Sequence, residues 1–361
     1  MLKDQISDAV RAAVIQVLAD DGFRRYTGSQ CERLSEELAQ RFSASDVLLC
    51  SSGTAALEVA LRAAGVGPGD EVLMSAYDYP GNFWAIERVG AKPLLIDIEP
   101  NGWRITADQL TQAWDDSPAP ALKAMVVSHL HGQLQDIRAL RTWCERRGLI
   151  LIEDACQAVG ASLDGKAVGS LSHASILSFG GGKVLSSGRG GALLTSNTIF
   201  AQRARVCAGA GSGPYALSEL QAATVVAQLP WLNAITEHCR QFFTQLASSL
   251  QDHSSISCPY ANDLPNTSFY QGGLLSDYQS ATIEVLAAAG FPAGVGFAGF
   301  HRRSTRRCRC WQPLQNTASV VARTITIHYS AALDSNLSGA QATALVEQLH
   351  SDLLNKQLDR N

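Results

Sequence analysis

Between Val47 and Thr195 short apolar runs alternate with helical stretches, and nothing else in the chain constrains its fold as strongly. Val47–Cys50, Glu71–Ser75, Lys92–Asp97, Lys123–Ser128, Leu149–Glu153, Ser175–Phe179 and Gly191–Thr195 read as strands. Between them, SSGTAALEVALRAAG reads as a helix, and Thr106 opens another with a capping box closed by Gln109. Asp136 caps a helix carrying Ile137, Leu140 and Cys144 on one face, and Gly148 ends it. Strands and helices in this rhythm predict an α/β fold with a mainly parallel sheet and right-handed crossovers. From about residue 236 the rhythm stops. A long helix over Trp231–Leu250 leads into strands at Thr267–Tyr270 and Thr324–Tyr329. A second capping box, Ser338 with Gln341, opens a last helix with Val346, Leu349 and Leu353 facing inward. Two domains are therefore expected, a large one over 1–235 and a smaller C-terminal α+β one over 236–361.

In open parallel sheets ligands bind beyond the carboxyl ends of the strands. Gly53 and Thr54 follow the first strand here, and Tyr77 and Tyr79 the second. His129 and His131 follow the fourth, Asp154 the fifth, and Ser178 and Lys183 the sixth. Polar and aromatic groups thus converge on one sheet edge.

Lys183 ends the glycine run of SFGGGKVLSSGRGG, residues 178–191. A phosphate-binding P-loop needs a glycine six residues before the lysine and Ser or Thr after it. Leu177 and Val184 occupy those positions, so that reading fails. A Schiff-base lysine needs room for an aldehyde and something to hold the aldehyde's carrier. Pyridoxal phosphate (PLP) asks for a lysine, a carboxylate for its ring nitrogen, donors for its phosphate and an aromatic against its ring. Lys183, Asp154, the helix start at Gly53 and Thr54 with the Ser178 hydroxyl, and Tyr79 match those demands in turn. Taken singly, Asp154 reads as a turn former and Gly53–Thr54 as a helix start. Their arrival together is what makes a site.

Composition narrows the field further. The 361 residues are 46% hydrophobic and 17% charged with net charge −4, which gives no electrostatic case for nucleic acid or an anionic membrane. The N-terminal stretch lacks the apolar core of a signal peptide and reads as an amphipathic helix with Ile6, Val10, Ala13, Val14, Val17 and Leu18 on one face. Nine cysteines without repeated spacing read as reduced thiols, which fits the cytoplasm, and no metal site is expected.

The chain resembles the DegT–StrS group of sugar aminotransferases, a branch of the fold type I PLP enzymes. The resemblance rests on CSSGTAALEVAL (50–61), GPGDEV (67–72), VGAKPLLIDIE (89–99), VSHLHGQLQD (127–136), IEDACQAVGA (152–161), the lysine loop and YALSELQAATVVAQL (215–229). It implies the three-layer α/β/α PLP-dependent transferase fold and a homodimer. By resemblance Lys183 is the Schiff-base lysine, Asp154 the ring-nitrogen carboxylate, and Gln157 a neighbour of the ring and its phenolic oxygen. Gly53, Thr54 and Ser178 match the phosphate donors and Tyr79 the stacking aromatic.

The implied activity moves an amino group, via PLP and its amine form PMP, from glutamate or glutamine to a keto sugar, nucleotide-linked in the commonest case, or to a cyclitol or related cyclic ketone. Two alternatives stand beside it. A PMP-dependent sugar dehydratase is disfavoured because such relatives carry histidine in place of the lysine. A PLP-binding sensor without turnover is the other.

Several departures bear on the choice. Pro214 and Ala216 replace a family Asn and Arg, Arg189 replaces an acid, and DYPGNFW (78–84) replaces a threonine–aromatic run. The arginines Arg302, Arg303, Arg306, Arg307 and Arg309 read either as a solvated loop or as a clamp for a diphosphate or carboxylate.

Overall fold

A computed structural model describes residues 2–26, 28–209, 213–250 and 255–358, without the side chains of Ser249, His350 and 352–358. Helices α1 (Leu2–Ala19) and α2 (Ser29–Phe42) precede the alternating region. That region runs β1 (Asp46–Cys50), α3 (Gly53–Ala63), β2 (Glu71–Ser75), α4 (Pro80–Arg88), β3 (Lys92–Ile96) and α5 (Ala107–Asp116). It continues with β4 (Leu122–Ser128), α6 (Ile137–Glu145), β5 (Ile150–Asp154), the small hairpin β6–β7 (Ser162–Leu163, Lys166–Ala167), β8 (Ala174–Ser178) and β9 (Gly191–Thr195). Among the described residues the main sheet has order β1-β9-β8-β5-β4-β2-β3, with a short strand at Arg309–Cys310 (β13) beyond β3. Strands β8 to β3 pair in parallel, while β9 runs antiparallel to both β8 and β1. The expected α/β fold with a mainly parallel sheet is what forms.

The reason lies in burial. Both faces of β4 and β5 are covered, with Ala124, Val126 and Ile152 in one core and Met125, Val127 and Leu151 in the other. A strand covered on both faces reads as a continuous apolar run, which is how these two appear in the sequence. The capping boxes at Thr106 and Ser218 form in full, and Asp136 accepts from Ala139 N at 3.0 Å.

After β9 come α7 (Thr198–Ala208), α8 (Glu219–Val226) and α9 (Leu232–Ser249). The small sheet then forms from β10 (Ile256–Ser257), β11 (Gln271–Ser276), β12 (Ala293–Val295) and β14 (Thr324–His328), with α10 (Gln279–Ala288) between β11 and β12. Strand β13 (Arg309–Cys310), α11 (Gln315–Arg323) and α12 (Gly339–Leu358) complete the chain. The 235/236 division falls inside α9, and β13 returns to pair with β3 of the main sheet.

Three expectations need correction. The strand expected at Thr267–Tyr270 starts instead at Gln271. Thr267 is spent on a turn, its N–H bonding Asp263 O at 2.8 Å and its hydroxyl Gly132 O at 2.7 Å. Strand β11 was hidden by Gly272 and Gly273, poor strand formers that are required here. A Cβ at Gly272 would collide with the Phe243 ring, and one at Gly273 with Trp103. Second, Leu18 is 49% exposed, off the inner face of α1 where Val17 is buried. Third, of the two readings of the arginine-rich segment the solvated loop suits Arg302, Arg303 and Arg306, which are exposed, and it is a clamp built from all five that needs correction. Arg309 forms a two-pronged pair with Glu71 at 2.6 and 2.7 Å, and Arg307 pairs with Glu87. Glu71 opens β2, the end opposite the ligand edge. In the last helix Val346 is fully buried, while Leu353 lies outside the described side chains.

Candidate active site

At the carboxyl edge of the main sheet a cavity of about 370 Å³ is lined by Gly53, Thr54, Tyr79, Asp154, Gln157, Ser178 and Lys183 together. The volume suits a small cofactor. Each residue is delivered by a strand end or the turn after it, as the alternation requires.

One wall is the start of α3. Ser52 caps it by accepting the N–H of Ala55 at 3.0 Å. The first N–H groups of a helix have no acceptor within it, and the dipole end is positive. Gly53 and Thr54 stand at that end, and Ser178 stands beside them. Its Oγ accepts from Gly180 N at 3.2 Å and keeps its own hydrogen to donate. A Cβ on Gly53 would lie 3.1 Å from both Ser178 Cβ and Cys156 Sγ, so the bare backbone is what keeps this cradle open.

Asp154 is held from two sides. Its Oδ1 accepts the N–H of Cys156 at 3.0 Å, and its Oδ2 accepts Asn82 Nδ2 at 2.8 Å. No cation is bonded to it among the described residues, so its charge is available to a positive group in the cavity. Gln157 accepts the N–H of His131 at 3.4 Å. Tyr79 is 44% exposed at the cavity wall, an uncovered aromatic at a site otherwise well packed.

Lys183 ends the glycine loop, where Gly182 and Gly188 have φ of 80° and 76°. Its Nζ lies 3.9 Å from the centre of the Tyr270 ring. Burial pushes its pKa below that of a free lysine, while Cys156 and Asp154 partly hold it up. A lysine with a lowered pKa is a better nucleophile near neutrality. The donor set therefore fits PLP: a nucleophilic amine, a carboxylate without a cation, a helix start with a hydroxyl, and an exposed ring.

Arg189 also lines the cavity, whereas Pro214 and Ala216 are exposed elsewhere. Ala216 lines an outer groove with Tyr26, Val206 and Tyr215. Sequence reasoning missed Asn82, Cys156, Tyr270 and Phe297 as lining residues. Asn82 and Cys156 stand inside motifs already singled out, while Tyr270 and Phe297 come from the C-terminal third of the chain and carried no signal. Among the described residues there is no cluster of metal-ligating side chains, and no helix is long and apolar enough to cross a membrane.

The model of the DegT/DnrJ/EryC1/StrS aminotransferase family matches residues 4–349. A pleiotropic regulatory protein of Geobacillus stearothermophilus is 34% identical over 66% of this chain and 65% of its own length. An L-glutamine:2-deoxy-scyllo-inosose aminotransferase of Streptoalloteichus tenebrarius is 30% identical over 74% of this chain and 70% of its own. The chain thus spans about two thirds of the length of these relatives. The crystal structure of a DegT DnrJ EryC1 StrS aminotransferase from Brucella abortus superposes with a TM-score of 0.86 at 22% identity, covering 96% of this chain and 97% of that one.

Proposed function

Because the chain belongs to the DegT/DnrJ/EryC1/StrS aminotransferase family, we propose that it is a PLP-dependent aminotransferase that aminates a keto sugar or cyclitol. The observation that carries this reading is the placement of Lys183 and Asp154 in one cavity with the open helix start at Gly53 and Thr54. Gly53, Thr54 and Ser178 hold the phosphate, Asp154 the ring nitrogen, Tyr79 the ring face, and Gln157 stands beside the ring. When bound, PLP supplies an electron sink that lets nitrogen leave an amino acid and pass to a ketone. Lys183 would hold the group through its aldehyde, and its Nζ would take up the proton that the donor α-carbon loses in the first half-reaction and supply the one that the former ketone carbon gains in the second. Arg189 receives the donor's carboxylate, the family arginine being absent at Ala216. Glutamine or glutamate is the proposed donor, in keeping with the name of the Streptoalloteichus relative.

We place the enzyme in the cytoplasm as a homodimer. All nine cysteines are free. The groove that carries Ala216 has a volume of about 930 Å³. Tyr26 and Val206 on its rim are 73% and 82% exposed, a surface suited to a second copy. A PLP-binding regulator without turnover remains the second reading, favoured by the name of the Geobacillus relative.

Single-turnover visible spectra separate the two. For a transaminase, glutamine or glutamate bleaches the absorbance of the lysine-bound cofactor, and a keto sugar or inosose restores it. A spectrum that no amino donor changes favours the regulator.

A further inference from the structure

Asp78 does not line the cavity, yet it is fully buried next to two residues that do. Its Oδ1 accepts from Ser128 Oγ at 2.7 Å, from its neighbour's backbone, Tyr79 N, at 2.7 Å, and from Asn82 Nδ2 at 3.2 Å. Its Oδ2 is buried without a partner. Ser128 Oγ and Asn82 Nδ2 also reach Asp154 Oδ2, at 3.4 and 2.8 Å. Two carboxylates therefore share two neutral donors. Tyr77, kept neutral by burial, faces the Asp78 charge, while Tyr79, Cys156 and the Lys183 amine act on Asp154 from the cavity side. No cation is hydrogen-bonded to Asp78 among the described residues.

Two anions in such a corner repel one another, and one takes up a proton. The geometry identifies which. Asp154 opens onto the cavity and has a donor on each oxygen, whereas Asp78 is sealed and leaves one oxygen bare. We propose that Asp78 is a positioning residue that stays a neutral acid, so that Asp154 carries the one negative charge of the pair while Asn82 and Ser128 fix its Oδ2. Burial, and then the charge of Asp154, raise the Asp78 pKa to about 8, which agrees with this. Asp78 and Asn82 both fall in the segment DYPGNFW that departs from the family pattern. The consequence for the cofactor rests on the proposed function, but the charge assignment does not.

The linkage has a definite sign. A carboxyl whose folded pKa lies above its unfolded value binds a proton more tightly in the native state. Stability is then lost as pH rises from about 4 towards about 8. Asn mimics the neutral acid and cannot ionise. The melting temperature of Asp78→Asn, measured against wild type from pH 5.5 to 9, is expected to gain on wild type as pH rises towards about 8 and to level off above it. Superimposable differences at all pH values overturn the proposal.

A second arm uses the purified holoenzyme. Wild type is expected to show a step near pH 8 in the spectrum of its lysine-bound cofactor that Asp78→Asn lacks, with PLP affinity at pH 6.5 within about twofold. A tenfold loss of affinity at pH 6.5 would mean that the ionised form is used, and overturns it. Should Asp78→Asn fail to fold, Ser128→Ala decides. It removes a hydrogen bond that lowers the Asp78 pKa, so the step moves to higher pH; an unmoved step overturns the assignment. A wild type without any lysine-bound cofactor band sinks the proposed function instead, and leaves the melting experiment intact.

Discussion

The amine of Lys183 rests on the face of Tyr270, 3.9 Å from the ring centre. The two lie far apart in the chain: Lys183 in the loop after β8, Tyr270 at the entry to β11. The contact ties the β11 end of the small sheet to the lysine nitrogen. A cation over an aromatic face is worth about 0.5–2 kcal/mol. It favours the charged amine, against the burial that disfavours it.

Tyr270→Leu is therefore expected to lower the Lys183 pKa further, because it removes a contact that favours the charged amine. Tyr270→Phe keeps the face and is expected to leave it unchanged. The readout is the pH dependence of the rate at which protein stripped of cofactor takes PLP back onto the lysine. Identical profiles in Leu and wild type would reduce Tyr270 to packing.

Lys183→Arg should fold yet lose the lysine-bound absorbance and all transfer, because a guanidinium stays protonated and does not condense with an aldehyde. Asp154→Asn keeps the two hydrogen-bonded supports in shape but removes the charge. PLP binds still, and the donor half-reaction slows by orders of magnitude, each tenfold corresponding to ~1.4 kcal/mol. Stopped-flow rates close to wild type in Asp154→Asn would assign the ring nitrogen to another group.

His131 makes a prediction about acid stability. It is fully buried, bonded through Nε2 to the Tyr77 hydroxyl at 2.9 Å, and burial with the nearby Lys183 charge holds its pKa down at about 3. The unfolded chain takes up a proton near pH 6.5 and the native one does not. Stability therefore falls as pH drops from 6.5 towards 3. Between pH 7 and 4.5 this accounts for roughly 2–3 kcal/mol. His131 has φ of 57°, a conformation Asn accepts better than most residues. Urea unfolding of His131→Asn should lose less stability than wild type over that interval; parallel losses would place the effect on other groups.

Much of this was legible in the sequence, and for a physical reason. Local order fixes a strand end and the turn after it, so Gly53, Asp154, Ser178 and Lys183 could be placed at one edge before any coordinates. Contacts between distant segments could not. Tyr270 and Phe297 reach the cavity because the C-terminal segment around the small sheet packs against it, and no periodicity encodes that. The double glycine of β11 hid a strand because Phe243 and Trp103, distant in sequence, dictate it. Charge runs misled for the same reason: the partners of Arg307 and Arg309, Glu87 and Glu71, lie more than 200 residues away.

Arg189 is a cation at the cavity wall, and the proposed donor would account for its position. The α-carboxylate of a glutamine or glutamate donor must be held while its α-proton faces Lys183. At the cavity wall the backbone around Arg189 is pinned, its carbonyl accepting from Ser187 Oγ at 2.7 Å and from Gln221 Nε2 at 2.9 Å. Its side chain is exposed and its guanidinium has no bonded partner among the described residues. A fixed backbone carrying a free guanidinium suits bidentate capture of a carboxylate. Arg307 and Arg309 are already engaged by acids, so they do not compete for this role. Removing one charged hydrogen-bonding group costs about 1.5–3 kcal/mol, or roughly 10- to 150-fold. Arg189→Ala should therefore weaken the donor half-reaction by that factor and the acceptor half-reaction far less. Equal losses in both halves would make Arg189 a structural element of the loop. Unchanged kinetics in both would move the donor site away from it.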